Sequence, residues 1–145
     1  MKNKLIYVAH PYNNDNNNIE KVEKIIQSLV KQYPNYTFVS PIHTFGFLYD
    51  NNDYDTGFKY CYDLLDRCDE LWVFDEEDND WRNSRGCNRE VGFSTGKGLP
   101  VYYGQFSYCK NSDKIPINNE YTVELTNNEY TVKLNRESEE DNWLI

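Results

Sequence analysis

Over its first hundred residues the chain alternates between two hydrophobic rhythms. Lys4–Ala9 is a short aliphatic and aromatic run stopped by His10-Pro11, which predicts a buried strand. After an asparagine-rich stretch, Ile19, Val22, Ile25, Ile26, Leu29, Val30 and Tyr33 recur at three-and-four spacing. Charged residues fill the gaps, so this segment reads as an amphipathic helix ended by Pro34-Asn35. Tyr36–Ser40 is a second strand, halted by Pro41. Ile42–Asp55 then reads as a longer loop carrying His43, Phe45, Phe47 and Tyr49, either a pocket wall or core filling. A helix over Gly57–Cys68 turns Phe58, Cys61, Leu64, Leu65 and Cys68 inward. Glu70–Phe74 is a third strand, Ser84–Lys97 a further helix, and Leu99–Tyr103 a fourth strand.

Short, wholly apolar strands alternating with helices predict an α/β fold. The expected form is a flavodoxin- or Rossmann-like parallel sheet of four to five strands with helices on both faces. Right-handed crossovers then bring His10, the Pro41–Tyr49 segment, the acidic run Asp75–Asp80 and the Ser84 turn to the carboxyl edge of the sheet, where such folds bind ligands. The composition changes after Gly104. Gln105–Asn118 is polar and irregular, and two near-copies follow, Asn119–Leu125 and Asn128–Leu134, which read as a β-hairpin. A charged tail, Arg136–Asp141, leads to the apolar Trp143–Ile145. The expected division is an α/β domain at 1–104 and an extension at 105–145 with its hairpin at 119–134.

A net charge of −9 and a pI near 4.7 argue against a nucleic acid polymer as partner, since phosphate backbones call for a basic face. A small anion remains compatible, because a few backbone amides can hold one phosphate in an acidic protein. No window approaches a membrane span, and MKNKLIYVAHPY lacks a signal-peptide core. Cys61, Cys68, Cys87 and Cys109 form no CxxC pair and read as reduced, buried thiols. The expectation is a cytoplasmic protein without structural zinc or other cofactor. With no GxGxxG and no Walker A pattern, dinucleotide redox and phosphoryl transfer are disfavoured.

Ser84 and Gly86 open the helix of Ser84–Lys97 with a tight turn suited to an anion. Glu90, one turn further in, is either a nucleophile or base, or a carboxylate that merely favours the helix dipole. Asp63 is the better second carboxylate on the preceding helix, where Asp66 and Asp69 read as facing solvent or pairing with Arg67 or Lys59. Two carboxylates flanking an anomeric carbon are what glycosyl transfer needs. Tyr7 either reaches such a pair with its hydroxyl or is core. His10 stands at a loop mouth, as a contact to a phosphate or base or an exposed loop residue, and His43 of the Ile42–Asp55 loop is a further substrate-binding candidate. The acidic run Asp75–Asp80 offers a cation or ribose site, or only a solvated loop. Trp81 and Arg82 just after it supply an aromatic face and a guanidinium that suit a nucleotide.

Four stretches of this chain resemble the nucleoside 2-deoxyribosyltransferase superfamily, in particular its small uncharacterised branch. They are Ile6–Tyr12 (IYVAHPY), Leu64–Leu71 (LLDRCDEL), Ser84–Glu90 (SRGCNRE) and Gly96–Val101 (GKGLPV), within Met1–Gly104. The resemblance implies a glutamate, here Glu90, that attacks C1′ of a nucleoside or nucleotide and expels the base, with Tyr7 as its companion. In relatives that hydrolyse nucleoside monophosphates the Ser/Gly turn, here Ser84 and Gly86, holds the 5′-phosphate. It also implies a homo-oligomer, a dimer or larger, whose neighbour completes the pocket. The superfamily's catalytic aspartate falls on Cys61 in this chain. Asp63, two residues on, is rotated about 200° around the helix. The alternative expectation is therefore a catalytically degenerate binding protein for a nucleotide-derived ligand, and a third is an assembly scaffold using the C-terminal hairpin.

Overall fold

The computed structural model describes residues 3–49, 54–76, 78–105, 115–117, 121–126 and 129–134. Four strands, β1 (Leu5–Ala9), β2 (Thr37–Val39), β3 (Glu70–Asp75) and β4 (Val101–Gln105), form a parallel sheet in the order β2-β1-β3-β4. β1 lies at its centre, with Tyr7 opposite Val39 on one side and Leu71 on the other. The helices are α1 (Asn16–Gln32), α2 (Pro41–Tyr49), α3 (Tyr54–Asp66) and α4 (Arg85–Lys97). The arrangement is flavodoxin- or Rossmann-like, as the alternation of strands and helices predicts.

Period-two alternation divides the core. Ile6 and Val8 of β1 and Trp72 and Phe74 of β3 point to one face, where Val22, Ile25 and Leu29 of α1 cover them. Tyr7, Ala9, Leu71 and Val73 point to the other, where Leu65 of α3 and Cys87 of α4 close the second layer. Both faces of β1 and β3 are thus dry, which is why these strands carry so little polar alternation. The exception is Glu70, buried at the start of β3. Its carboxylate accepts from Trp72 Nε1 at 2.9 Å and pairs with Lys4 Nζ at 2.7 Å, so its polar atoms are compensated.

Three segments differ from the sequence reading, for local reasons. α1 begins three residues before its first apolar position because Asp15 caps it, accepting from Asn17 N at 2.9 Å. Asn13 and Asn14, at φ of 51° and 54°, make the preceding turn, a backbone region asparagine tolerates better than most residues. The segment after β2 is not a loop: Pro41–Tyr49 is helical, with Ser40 at its head accepting from His43 N. Pro41 opens this helix instead of ending the chain's order, since a helix start has no use for the missing N–H. α3 likewise starts earlier, at Tyr54.

Beyond Gly104, β5 (Ile115–Ile117), β6 (Tyr121–Thr126) and β7 (Glu129–Leu134) form an antiparallel sheet in the order β5-β6-β7. The two near-copies pair as the expected hairpin, Thr126 opposite Glu129 and Tyr121 opposite Leu134. β5 falls inside the stretch read as irregular. The tail Arg136–Asp141 and Trp143–Ile145 lie outside the described residues. No helix among the described residues is long and apolar enough to cross a membrane.

The burial pattern carries a direct stability test. Ile25 is fully buried, so Ile25→Ala is expected to cost about 2–5 kcal/mol in urea unfolding. Val30, on the same helix but 52% exposed, is expected to change stability by no more than about 0.5 kcal/mol when replaced by Ala.

Candidate active site at the carboxyl edge

The site is built on the start of α4. Asp75, the last residue of β3, is buried and accepts from Trp81 N at 2.7 Å, which fixes the single 3-10 turn Trp81–Asn83. Ser84 follows as the cap of α4, accepting from Cys87 N at 3.2 Å. At Gly86 the backbone packs close to α3: a Cβ there would sit 3.3 Å from the Phe58 ring, which would have to give by a few tenths of an ångström. Gly98 ends the helix at φ 75°.

The stripe that α4 turns inward is Cys87, Glu90 and Ser94, with no large apolar side chain among the three. A helix docked on a dry sheet ordinarily presents aliphatic residues there. Glu90 is only 5% exposed, and burial raises its carboxyl from 4.5 to about 7, with contact from Tyr7 partly opposing the rise. Tyr7 approaches from β1, fully buried, its hydroxyl beside Glu90 and the Cys61 thiol but in full hydrogen-bond geometry with neither. Burial, then the Glu90 charge, pushes that phenol well up.

A cavity of about 360 Å³ opens over Glu90. Ser84, Arg85, Gly86 and Cys87 form its α4 wall, and Tyr54 and Phe58 of α3 continue it. Across from them stand His10 and Tyr12 at the end of β1, the Asn13-Asn14 turn, and Pro41 and Ile42 of α2. The Arg85 guanidinium lies 4.5 Å over the Tyr54 ring, and Arg89 lies 4.9 Å over Phe58. His10 is buried, its Nδ1 2.7 Å from the Pro11 carbonyl oxygen. Desolvation lowers it to about 4, with Lys21 adding to the drop, so near neutrality its ring is uncharged. Asp75 is raised to about 6, again chiefly by burial.

Residues 4–104 match the model of family DUF7768, a domain of unknown function. The chain belongs to this family. A search of curated proteins found no match.

Within the DUF7768 domain the cavity brings together Glu90, Ser84, Gly86 and His10 of the residues singled out from the sequence, with Tyr7 behind Glu90. It does not bring in the others. Asp63 is exposed on α3, its carbonyl accepting from Arg67. His43 is exposed on α2, hydrogen-bonded to Ser40 and near Glu23. Trp81 stacks on Tyr103 at 5.3 Å, and Arg82 lies over Trp81 and pairs with Asp80, all away from the cavity lining. Cys61, in contrast, is fully buried beside Tyr7. Among the described residues no group of three His, Cys, Asp or Glu side chains is arranged to hold a metal.

Sequence reasoning missed Tyr12, Arg85, Tyr54 and Phe58. Tyr12 and Arg85 lay inside motifs already marked, whereas Tyr54 and Phe58 depended on knowing where α3 starts.

The raised pKa of Glu90 makes stability depend on pH. Its folded-state pKa lies above the unfolded value, so its burial lowers stability as pH rises from about 4.5 to about 7, and the loss is complete above that window. Glu90→Gln is therefore expected to gain stability over wild type between pH 4 and pH 8, by about 3 kcal/mol at most, in paired urea titrations. An unchanged difference across that range would mean that Glu90 titrates normally.

Proposed function

We propose that this site binds a nucleoside or nucleotide and cleaves the bond between base and sugar, with Glu90 as nucleophile. The observation that carries this reading is a buried carboxyl that lines a pocket and titrates near neutrality, at a helix position where packing alone would favour an aliphatic side chain. Its ionised form is a nucleophile in the cavity lining, and no lysine or arginine is among the groups that shift it. Attack by Glu90 Oε on C1′ would form a glycosyl ester as the base departs, and water or a second base would then release the sugar. The start of α4, with Arg85 beside it, suits an anionic group on the sugar, and Tyr12, Tyr54 and Phe58 offer ring faces to a base. The resemblance to nucleoside 2-deoxyribosyltransferases supports the same assignment of Glu90 and Tyr7, and with it a homo-oligomer.

A second reading is favoured by Cys61. It occupies the inward position beside Tyr7 where the resemblance implies an aspartate, and Asp63 faces away. On that reading the pocket holds a nucleotide-derived ligand without turning it over.

One experiment separates them. Purified protein is incubated with ribo- and deoxyribonucleosides and their monophosphates, with base release followed by chromatography and ligand binding by thermal shift. Catalysis predicts released base that falls by at least about a thousandfold in Glu90→Ala, while the ligand-induced shift is retained. A shift in wild type without any product would establish the binder.

A further inference from the structure

Cleaving an N-glycosidic bond has a second demand besides the nucleophile. A neutral base is a poor leaving group and departs readily only when an acid protonates it. The described lining of the cavity contains one carboxyl, Glu90, which the reaction uses as nucleophile. Its other titratable groups are poorly placed or poorly matched to donate. His10 holds its Nδ1 at 2.7 Å from the Pro11 carbonyl oxygen, so the proton of the neutral ring sits on that bond and Nε2 carries none. The buried Cys87 thiol is pushed well up by desolvation, and burial raises the Tyr54 phenol too. Arg85 contributes a guanidinium and Tyr12 a phenol, neither of them a carboxyl. The exposed Asp55 pairs with Arg89 at 3.6 Å, and Asp63 faces solvent.

We infer that the substrate is an N-glycoside whose base already carries a positive charge, an N-ribosyl pyridinium or an N7-alkylated purine nucleoside or nucleotide. This rests on the glycosidic reading of Glu90. A cationic base needs no acid. As Glu90 Oε bonds to C1′, the C1′–N bond breaks with its electron pair moving onto the ring nitrogen, and the base leaves neutral. Water then attacks C1′, the ester C–O bond returns its pair to the carboxylate, and the water's proton passes to solvent. Each turnover releases one proton, unlike hydrolysis of a neutral nucleoside. In the cavity Glu90 favours the cationic ring, while Arg85, seated over the Tyr54 ring, favours an anionic group on the sugar together with the start of α4.

The pH dependence follows from the groups facing Glu90. These are Tyr7 on β1, Tyr54 and Tyr62 on α3, and Cys87 on α4, and no cation is among the groups that shift it, although Arg85 lines the same cavity. With Glu90 titrating near 7 and no acid required, the rate should rise through about pH 7 and level off.

The test uses the full chain with nicotinamide mononucleotide, 7-methylguanosine monophosphate and unmethylated guanosine monophosphate. Base is followed by chromatography and protons by an indicator dye. The expected result is release from the two cationic substrates, with one proton per base and a single ascending pH limb for nicotinamide mononucleotide, whose ring charge does not titrate. Guanosine monophosphate should be slower by about 100-fold or more, the least an absent general acid costs. Turnover should be lost in both Glu90→Ala and Glu90→Gln, with folding checked by circular dichroism. Cleavage of guanosine monophosphate within tenfold of its methylated form, with a bell-shaped pH profile, would overturn this inference and leave the glycosidic reading standing. A descending limb abolished by Asp50→Asn or Asp53→Asn, carboxyls outside the described residues, would overturn it equally and locate the acid. No release from any of the three and from the wider nucleoside panel, or release that survives Glu90→Ala, would overturn both.

Discussion

Pairing between β1 and β3 is the constraint on which the other features depend. Both strands have neighbours on each edge and helices on each face, so their side chains divide strictly between two dry layers. Parallel pairing also sends every strand-to-helix connection to the same edge. The strand order reverses between these two strands, β1 leading out to β2 and β3 to β4, and a crevice opens where the connections part. His10 leaves β1 there, Asp75 ends β3 there, and α4 starts there. The cavity is a consequence of topology before it is a matter of side chains.

That edge is an unusually expensive place for ionisable groups. Glu90 is raised to about 7, Asp75 is raised to about 6 and His10 is lowered to about 4, each chiefly by desolvation. All three shifts favour the uncharged form, as a low-dielectric environment dictates. Elsewhere the fold avoids this cost, as at Glu70, where Lys4 and the Trp72 indole compensate the buried carboxylate. At Glu90, among the described residues, the Tyr7 hydroxyl is the one group that opposes the shift. A domain that satisfies one buried glutamate and leaves another so little compensated has a local conflict of the kind that marks functional positions.

Much of the framework was legible before the fold was known. The four sheet strands and α1, α3 and α4 follow from hydrophobic rhythm, and the hairpin from its near-copied alternation. The placement of Ser84, Gly86 and Glu90 around the start of α4 also follows, because cap and carboxylate lie within two turns of one helix. α2 was not legible, because Pro41 is equally a stop and a helix start, and the aromatic residues after it show no clean period. Asp63 and His43 were misplaced because a residue's bearing around a helix depends on how that helix docks. Trp81 and Arg82 were misplaced because their short turn is anchored from β3 by Asp75.

The sequence by itself determined the alternation of elements, the two-sided burial of the sheet and the caps that begin and end α4, since these are local or periodic properties of the chain. Only the tertiary structure decided which groups share a volume. Tyr7 from β1 meets both Cys61 from α3 and Glu90 from α4 through packing between segments more than twenty residues apart. The carboxyl's shift toward neutrality was likewise invisible in the chain, because desolvation belongs to no residue until its neighbours exclude the water around it.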